Sequence, residues 1–78
     1  MTQRIPVTPT TWVELASGEA HVIVTVENGG ARVHVGTADE PDEDAPGHYL
    51  DGKTPFNGQL NADEVLWAKG QASLVVTP

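Results

Sequence analysis

Apolar and polar residues alternate with a period of two along three segments in the first half of the chain. These segments are residues 10–16, 20–27 and 31–37, and each of them contains valine and threonine. Such alternation is typical of strands that have one buried face and one exposed face. Since β-branched side chains fit this pleated surface well, the pattern predicts an all-β fold.

Two short polar sequences, Ser17-Gly18 and Asn28-Gly29, separate the three segments and are typical of two-residue hairpin turns. With a turn centred on each of them, the predicted register places one apolar set on the same face of a three-stranded meander. That set is Val13, Leu15, Ala20, Val22, Val24, Val26, Ala31, Val33 and Val35. Because the two turns agree, the sequence predicts that this face is the core.

The opposite face of the predicted meander carries apolar residues among polar ones. In the same register Trp12 lies opposite Ile23, and Ile23 lies opposite His34. Exposed apolar patches of this kind often mark contact sites. We expect either the C-terminal strands of the same chain or a second subunit to cover this face.

The C-terminal segment is consistent with two different structures. Asn61 and Glu64 fit the start of a short capped helix that ends before Gly70. Alternatively, residues 64–69 and 71–77 form a hairpin that turns at Gly70. We favour the hairpin, because a helix of two turns adds little stability by itself. Apolar residues on both faces of this hairpin predict strands that are buried on both sides.

The meander and the hairpin together predict a single small antiparallel β-sandwich or barrel, residues 10–78. It follows an extended arm, residues 1–9, that contains Pro6 and Pro9. A chain of 78 residues buries only about 60% of its unfolded surface. Since the chain has no cysteine, disulfides and thiolate metal sites are excluded. We therefore expect oligomerisation to supply further stability.

The charge of the chain is concentrated in one place. Eleven acids and four bases give a net charge of −7, and five of the acids lie within residues 39–44. Outside this segment the chain has six acids and four bases, which give a net charge of −2. We expect the surrounding acidic loop, residues 37–46, to be mobile and solvated, because the acidic segment has no apolar residue to bury. Its acids do not have the spacing of a calcium-binding loop.

Composition also excludes several classes of partner. An acidic chain is a poor match for nucleic acid or for an anionic membrane, since both need clustered lysine and arginine. No apolar run is long enough for a membrane-spanning helix. Residues 1–9 have no apolar core of a secretory signal, so we expect none.

The sequence contains no phosphate-binding glycine loop with lysine, no nucleophile elbow and no H-E-x-x-H motif. The predicted register places Glu14 opposite His21, with His34 diagonal to His21. Two imidazoles and a carboxylate are a possible zinc ligand set. A solvated polar face accounts for the same three residues, and we favour it. The chain is therefore predicted to have no metal, no cofactor and no enzymatic activity.

Four short motifs in the second half of the chain resemble small structural proteins of tailed phages and prophages. The motifs are Gly47-His48-Tyr49-Leu50, Pro55-Phe56-Asn57-Gly58, Val65-Leu66-Trp67-Ala68-Lys69-Gly70 and Ala72-Ser73-Leu74-Val75-Val76-Thr77. These proteins are capsid decoration, head-fibre or tail-associated components. The resemblance covers most of residues 10–78, and no catalytic residues are carried over with it. It implies a β-sandwich or small barrel that assembles by symmetry, often on a larger viral scaffold.

We therefore predict a non-enzymatic virion structural protein that forms a homo-oligomer, such as a trimer, and docks to a larger virion protein. It would be found in the virion, or in the cytoplasm of the bacterial host during assembly. The predicted contact residues are Trp12, Ile23, Leu66, Trp67 and Val75. The alternative is a small ligand-binding module, for instance for host-surface carbohydrate, in which an exposed Trp12 or Tyr49 ring stacks on the ligand.

Overall fold

The computed structural model describes residues 2–42, 44–52 and 55–77. Their strands are β1 (Gln3–Val7), β2 (Val13–Ser17), β3 (Ala20–Gly36), β4 (His48–Leu50), β5 (Phe56–Leu60) and β6 (Val65–Thr77). All pairs are antiparallel and belong to one sheet, which does not close into a barrel. Because these residues contain no helix, the predicted all-β class is confirmed.

Two long strands, β3 and β6, form the centre of the sheet and pair with each other over most of their length. A different short strand flanks each end of each long strand. The first half-sheet consists of β1, β5, residues 20–28 of β3 and residues 71–77 of β6. The second half-sheet consists of β2, β4, residues 30–36 of β3 and residues 65–69 of β6. The two halves meet at a bend in the central strands.

The bend lies at the dipeptide for which the sequence predicts a hairpin. Strand β3 continues through Asn28-Gly29, and its register with β6 shifts between Val26 and Asn28, as in a β-bulge. Gly29 has a φ of 87°, which favours glycine at this position. The extra residue changes the buried positions of β3 from even numbers before the bulge to odd numbers after it. A two-residue turn at Asn28-Gly29 would switch the buried positions in the same way. The predicted buried face is therefore correct, although the predicted hairpin is wrong.

The hairpin predicted at Ser17-Gly18 is also absent, so the three-stranded meander is not formed. Strand β2 pairs with β6, where Val13 lies opposite Ala68, and not with β3. Gly18 has a φ of 83°, and its amide donates a hydrogen bond of 3.1 Å to the carbonyl of Glu64. The chain thus crosses here from the second half-sheet to the first. β2 instead packs beside apolar residues of β6 that are distant in sequence. The turn preference of Ser17-Gly18 cannot predict such a long-range contact.

Both halves of the sheet curl around a single hydrophobic core, to which all six strands contribute. Its buried residues are Val7, Leu15, Val22, Val24, Val26, Ala31, Val33, Leu50, Leu60, Leu66, Ala68, Leu74 and Val76. Val13 and Ala20 are partly buried and pack against this core. The predicted core face is thus confirmed except for Val35, which is 38% exposed.

The C-terminal segment forms neither the predicted helix nor the predicted hairpin, because β6 continues through Gly70 as one strand. Asn61 and Glu64 form a tight turn before it. The Glu64 amide donates to the Asn61 carbonyl at 3.1 Å, and the Asn61 amide donates to the Glu64 carboxylate at 2.7 Å. The capping-box residues therefore stabilise a turn that leads into β6. The prediction of burial on both faces is confirmed for residues 65–68.

The predicted N-terminal arm, residues 1–9, contains the edge strand β1, which pairs with β6. Pro6 lies within this strand, as is usual for a proline in a sheet edge, where its missing amide does not break an interior ladder. The carbonyl of Thr8 then accepts a hydrogen bond of 3.0 Å from the amide of Gly70. This part of the arm therefore belongs to the sheet, while Met1 lies outside the described residues.

Candidate functional site

The acidic loop, residues 37–46, packs against the outer face of the second half-sheet. Trp12, Val65 and Trp67 form a second cluster of buried apolar residues on this face, and Ala45 of the loop packs against it. The described acids of the loop, Asp39, Glu40, Asp42 and Asp44, are exposed as expected, whereas Ala45 is partly buried. Glu43, which belongs to the predicted loop, lies outside the described residues.

Both indole groups hold the acidic loop through its backbone. Nε1 of Trp12 donates a hydrogen bond of 2.9 Å to the carbonyl of Asp42. Nε1 of Trp67 donates a hydrogen bond of 2.9 Å to the carbonyl of Thr37. A buried indole N–H needs such an acceptor, and the loop supplies two of them. The loop thus covers the aromatic patch of this face within the same chain.

The five predicted contact residues consequently have different positions in the structure. Leu66 is completely buried in the core. Trp12 and Trp67 are buried beneath the acidic loop. Ile23 is 39% exposed, and Val75 is half-buried. A partner can therefore reach only Ile23 and Val75 directly, because the chain's own core and loop enclose the other three side chains.

Ile23 and Val75 lie together on the outer face of the first half-sheet, which we call the open face. Thr25 lies opposite Val75 on the central strands, and Ile23 lies opposite Thr77. On its other side Ile23 pairs with Asn57 of β5. The open face therefore consists of β-branched and small polar side chains around one exposed isoleucine.

An exposed ion pair borders the open face. Arg4 of β1 lies opposite Val75, and its Nε is 2.8 Å from a carboxylate oxygen of Glu27. Surface ion pairs of this kind contribute about 0–1 kcal/mol to stability. The Arg4–Glu27 pair matters here for its charge. One base and one acid make this border neutral, in a chain with a net charge of −7.

A cleft of about 330 Å³ lies at the bend between the two half-sheets. Gly30 and Gly70, which are diagonal neighbours on the central strands, contribute no side chain to it. Pro9 lines another side of the cleft. A Cβ atom at Gly30 would lie 2.8 Å from Cζ of Tyr49, so the tyrosine ring rests on bare backbone at this position. The cleft is therefore lined at the bend by two residues that have no side chain.

The wall of the cleft carries two bases and an aromatic ring. Arg32 lies opposite Tyr49 on β4 and opposite Lys69 on β6. The Tyr49 side chain is 69% exposed. Lys69 also places its Nζ 5.6 Å from the centre of the Trp12 ring, within the range of a cation–π interaction. Two of the four basic residues of the chain thus lie directly opposite each other.

The three candidate zinc ligands do not form the predicted group. Glu14 lies on β2 beside β6, and His21 lies opposite Gln59 of β5. His34 lies on the other side of the bend, where its Nδ1 is 2.7 Å from the Pro46 carbonyl. The predicted pairing fails because β2 and β3 are not neighbours. Within residues 2–42, 44–52 and 55–77, no cluster of three histidine, aspartate or glutamate side chains could hold a metal ion.

The two aromatic rings suggested for ligand stacking also differ. Trp12 is buried and hydrogen-bonded, whereas Tyr49 is exposed beside the cleft. The sequence does not reveal that Arg32 and Lys69 share this cleft. A signal was present in Gly30 and Gly70, since a glycine within a strand pattern marks a bulge or a close backbone approach.

In the part of the chain that the structure describes, no helix is long and apolar enough to cross a membrane. No protein-family model matches the chain, and neither the curated proteins nor the solved structures give a match.

Proposed function

We propose that the chain is a non-enzymatic virion structural protein of a phage or prophage, which acts by self-association and by docking to a larger assembly. The resemblance of most of residues 10–78 to small phage structural proteins, with its motifs in residues 47–77, supports the virion role. The observation that carries the self-association is the open face, where Ile23 is 39% exposed on the outer surface of the strands.

The open face is suited to contact a second copy of the chain. Ile23 and Val75 are apolar, and Thr25 next to them is β-branched and exposed. Strands β1 and β5 form the two edges of this half-sheet. A homo-oligomer such as a trimer buries this apolar area, which a domain of this size needs for stability.

Charge also favours self-association at this face. The acidic loop covers the second half-sheet, whereas the border of the open face carries the neutral Arg4–Glu27 pair. Two copies that meet through their open faces therefore avoid bringing their most acidic segments together. This arrangement reduces the repulsion expected between two chains of charge −7.

Replacing Ile23 with lysine is expected to convert the oligomer to a folded monomer, because the substitution places a charge in the centre of the contact. Sedimentation velocity at a series of micromolar protein concentrations measures this change. Val35→Lys is the matched control, since Val35 is 38% exposed on the same strand but lies in the second half-sheet. A wild-type chain that stays monomeric at about 100 µM would refute self-association, and dissociation by Val35→Lys alone would refute the open face as its site.

The virion role is tested on phage particles. After prophage induction in the source host, peptides of the chain are expected in particles that have been banded in a density gradient, at a constant ratio to the capsid protein. A chain that is expressed in the induced cells but absent from banded particles would contradict the virion role, whatever its oligomeric state.

A ligand-binding module remains a second candidate function, and the exposed Tyr49 ring at the cleft favours it. In this function the open face and the cleft are separate surfaces, one for copies of the chain and one for a ligand.

A further inference from the structure

We propose that the cleft at the bend binds a saccharide that carries a carboxylate group. This inference rests on the ligand-binding candidate function and names its ligand class, and it does not depend on the oligomeric state. Three observations support it: the position of the Tyr49 ring, the charge next to that ring and the size of the cleft.

The Tyr49 ring offers a preordered flat surface at the rim of the cleft. The ring rests against Gly30 and remains 69% exposed. A tyrosine supplies a large amphipathic surface and loses little conformational entropy on binding. The C–H face of a sugar ring is flat and apolar, so it can stack on this surface while the sugar hydroxyls stay in water.

The charge next to the ring selects an acidic sugar. Arg32 lies opposite both Tyr49 and Lys69, so two basic residues stand on neighbouring strands beside the ring. Arg32 makes no ion pair or hydrogen bond with any side chain of residues 2–42, 44–52 and 55–77. Its planar guanidinium can therefore donate two parallel hydrogen bonds to a carboxylate.

The size of the cleft favours a saccharide over a peptide. Its volume of about 330 Å³ is at the lower end of the range of about 300–1,000 Å³ that ligand sites occupy. This space suits one or two sugar rings and does not suit an extended acidic peptide. The net charge of the whole chain is −7, so an anion is attracted only where basic residues such as Arg32 are close.

The test is a titration of the ¹⁵N-labelled full chain with digalacturonate and with N-acetylneuraminate, followed by amide chemical shifts. We expect shifts at Gly30, Tyr49 and Gly70, with a Kd of about 1 mM or below. Arg32→Gln is expected to weaken binding about tenfold or more, because it removes the charged hydrogen bonds to the carboxylate. Tyr49→Ala is expected to weaken binding through the loss of stacking, whereas Ile23→Lys is expected to leave it unchanged.

Several outcomes would overturn the proposal. The methyl ester of digalacturonate tests the charge, and equal binding of the ester would refute the role of Arg32. Acetate or a tetraglutamate peptide that produces the same shifts would indicate a general anion site or a peptide site. The absence of cleft shifts with both acidic sugars at about 20 mM would refute saccharide binding. Ile23→Lys tests the open face alone, so a failure of saccharide binding would not affect the conclusion on self-association. The amide spectrum of each variant verifies that it is folded.

Discussion

Replacing Gly70 with alanine is expected to destabilise the fold by about 3 kcal/mol or more. A Cβ atom at this position would lie 2.6 Å from the Gly30 carbonyl oxygen and 2.7 Å from the Cα of Ala31. Both atoms belong to the backbone of β3, so the clash is relieved only if the central strands separate. The φ of 153° is also a conformation that L side chains rarely adopt. Urea unfolding followed by tryptophan fluorescence measures the loss as a lower midpoint.

Gly18→Ala is the control that separates steric clash from backbone strain. Gly18 also has a positive φ, of 83°, but a Cβ atom there would meet no heavy atom within 4 Å. We therefore expect a loss of only about 1–2 kcal/mol, from the left-handed conformation alone. Equal losses in the two variants would show that the close approach of the strands at the bend contributes nothing.

The second large effect is expected for Trp67→Ala, which should cost about 3–5 kcal/mol of unfolding free energy. Trp67 is buried in the cluster beneath the acidic loop and donates its indole hydrogen bond to the Thr37 carbonyl. Its removal leaves a void beside Trp12 and detaches the start of the loop. Chemical denaturation measures the stability, and amide hydrogen exchange measures the opening of the loop.

Trp67→Phe distinguishes packing from hydrogen bonding at the same position. Phenylalanine keeps most of the apolar area but loses the bond to Thr37, so we expect a loss of about 1 kcal/mol. The sequence alone suggests another role for Trp67, as a contact residue between subunits. If Trp67→Ala changed the sedimentation coefficient without lowering stability, that role would be correct and the structural interpretation wrong.

Segments of β2, β3 and β6 and their buried faces could be predicted from the sequence because both depend on the alternation of residues, whereas the short strands β1, β4 and β5 were not predicted. Val22, Val24 and Val26 before the bend, and Ala31 and Val33 after it, are in the core as the pattern indicates. The strand partners could not be predicted in the same way. Asn-Gly is favourable in a hairpin turn, and a glycine with positive φ is equally favourable in a bulge. A hairpin turn and a bulge both switch the buried positions of the following residues from even to odd numbers. Only the identity of the partner strand distinguishes the two structures.

The position of the acidic loop illustrates a second limit of the sequence. Its acidic side chains correctly suggest solvent exposure, and Asp39, Glu40 and Asp42 are exposed. The groups that anchor the loop are backbone carbonyls, and every residue has one. Composition therefore cannot show which carbonyls meet the indoles of Trp12 and Trp67.

The amino-acid sequence by itself determined the all-β class, the core face of the first strands and the burial of residues 65–68 on both sides. These properties follow from side-chain type and from alternation, which are local. Only the tertiary structure decided that β3 and β6 are long and bent, that the acidic loop covers the tryptophans, and that Arg32 and Lys69 meet beside Tyr49. These properties depend on register between segments that are distant along the chain, because the free energy of pairing comes from contacts that neither segment makes alone.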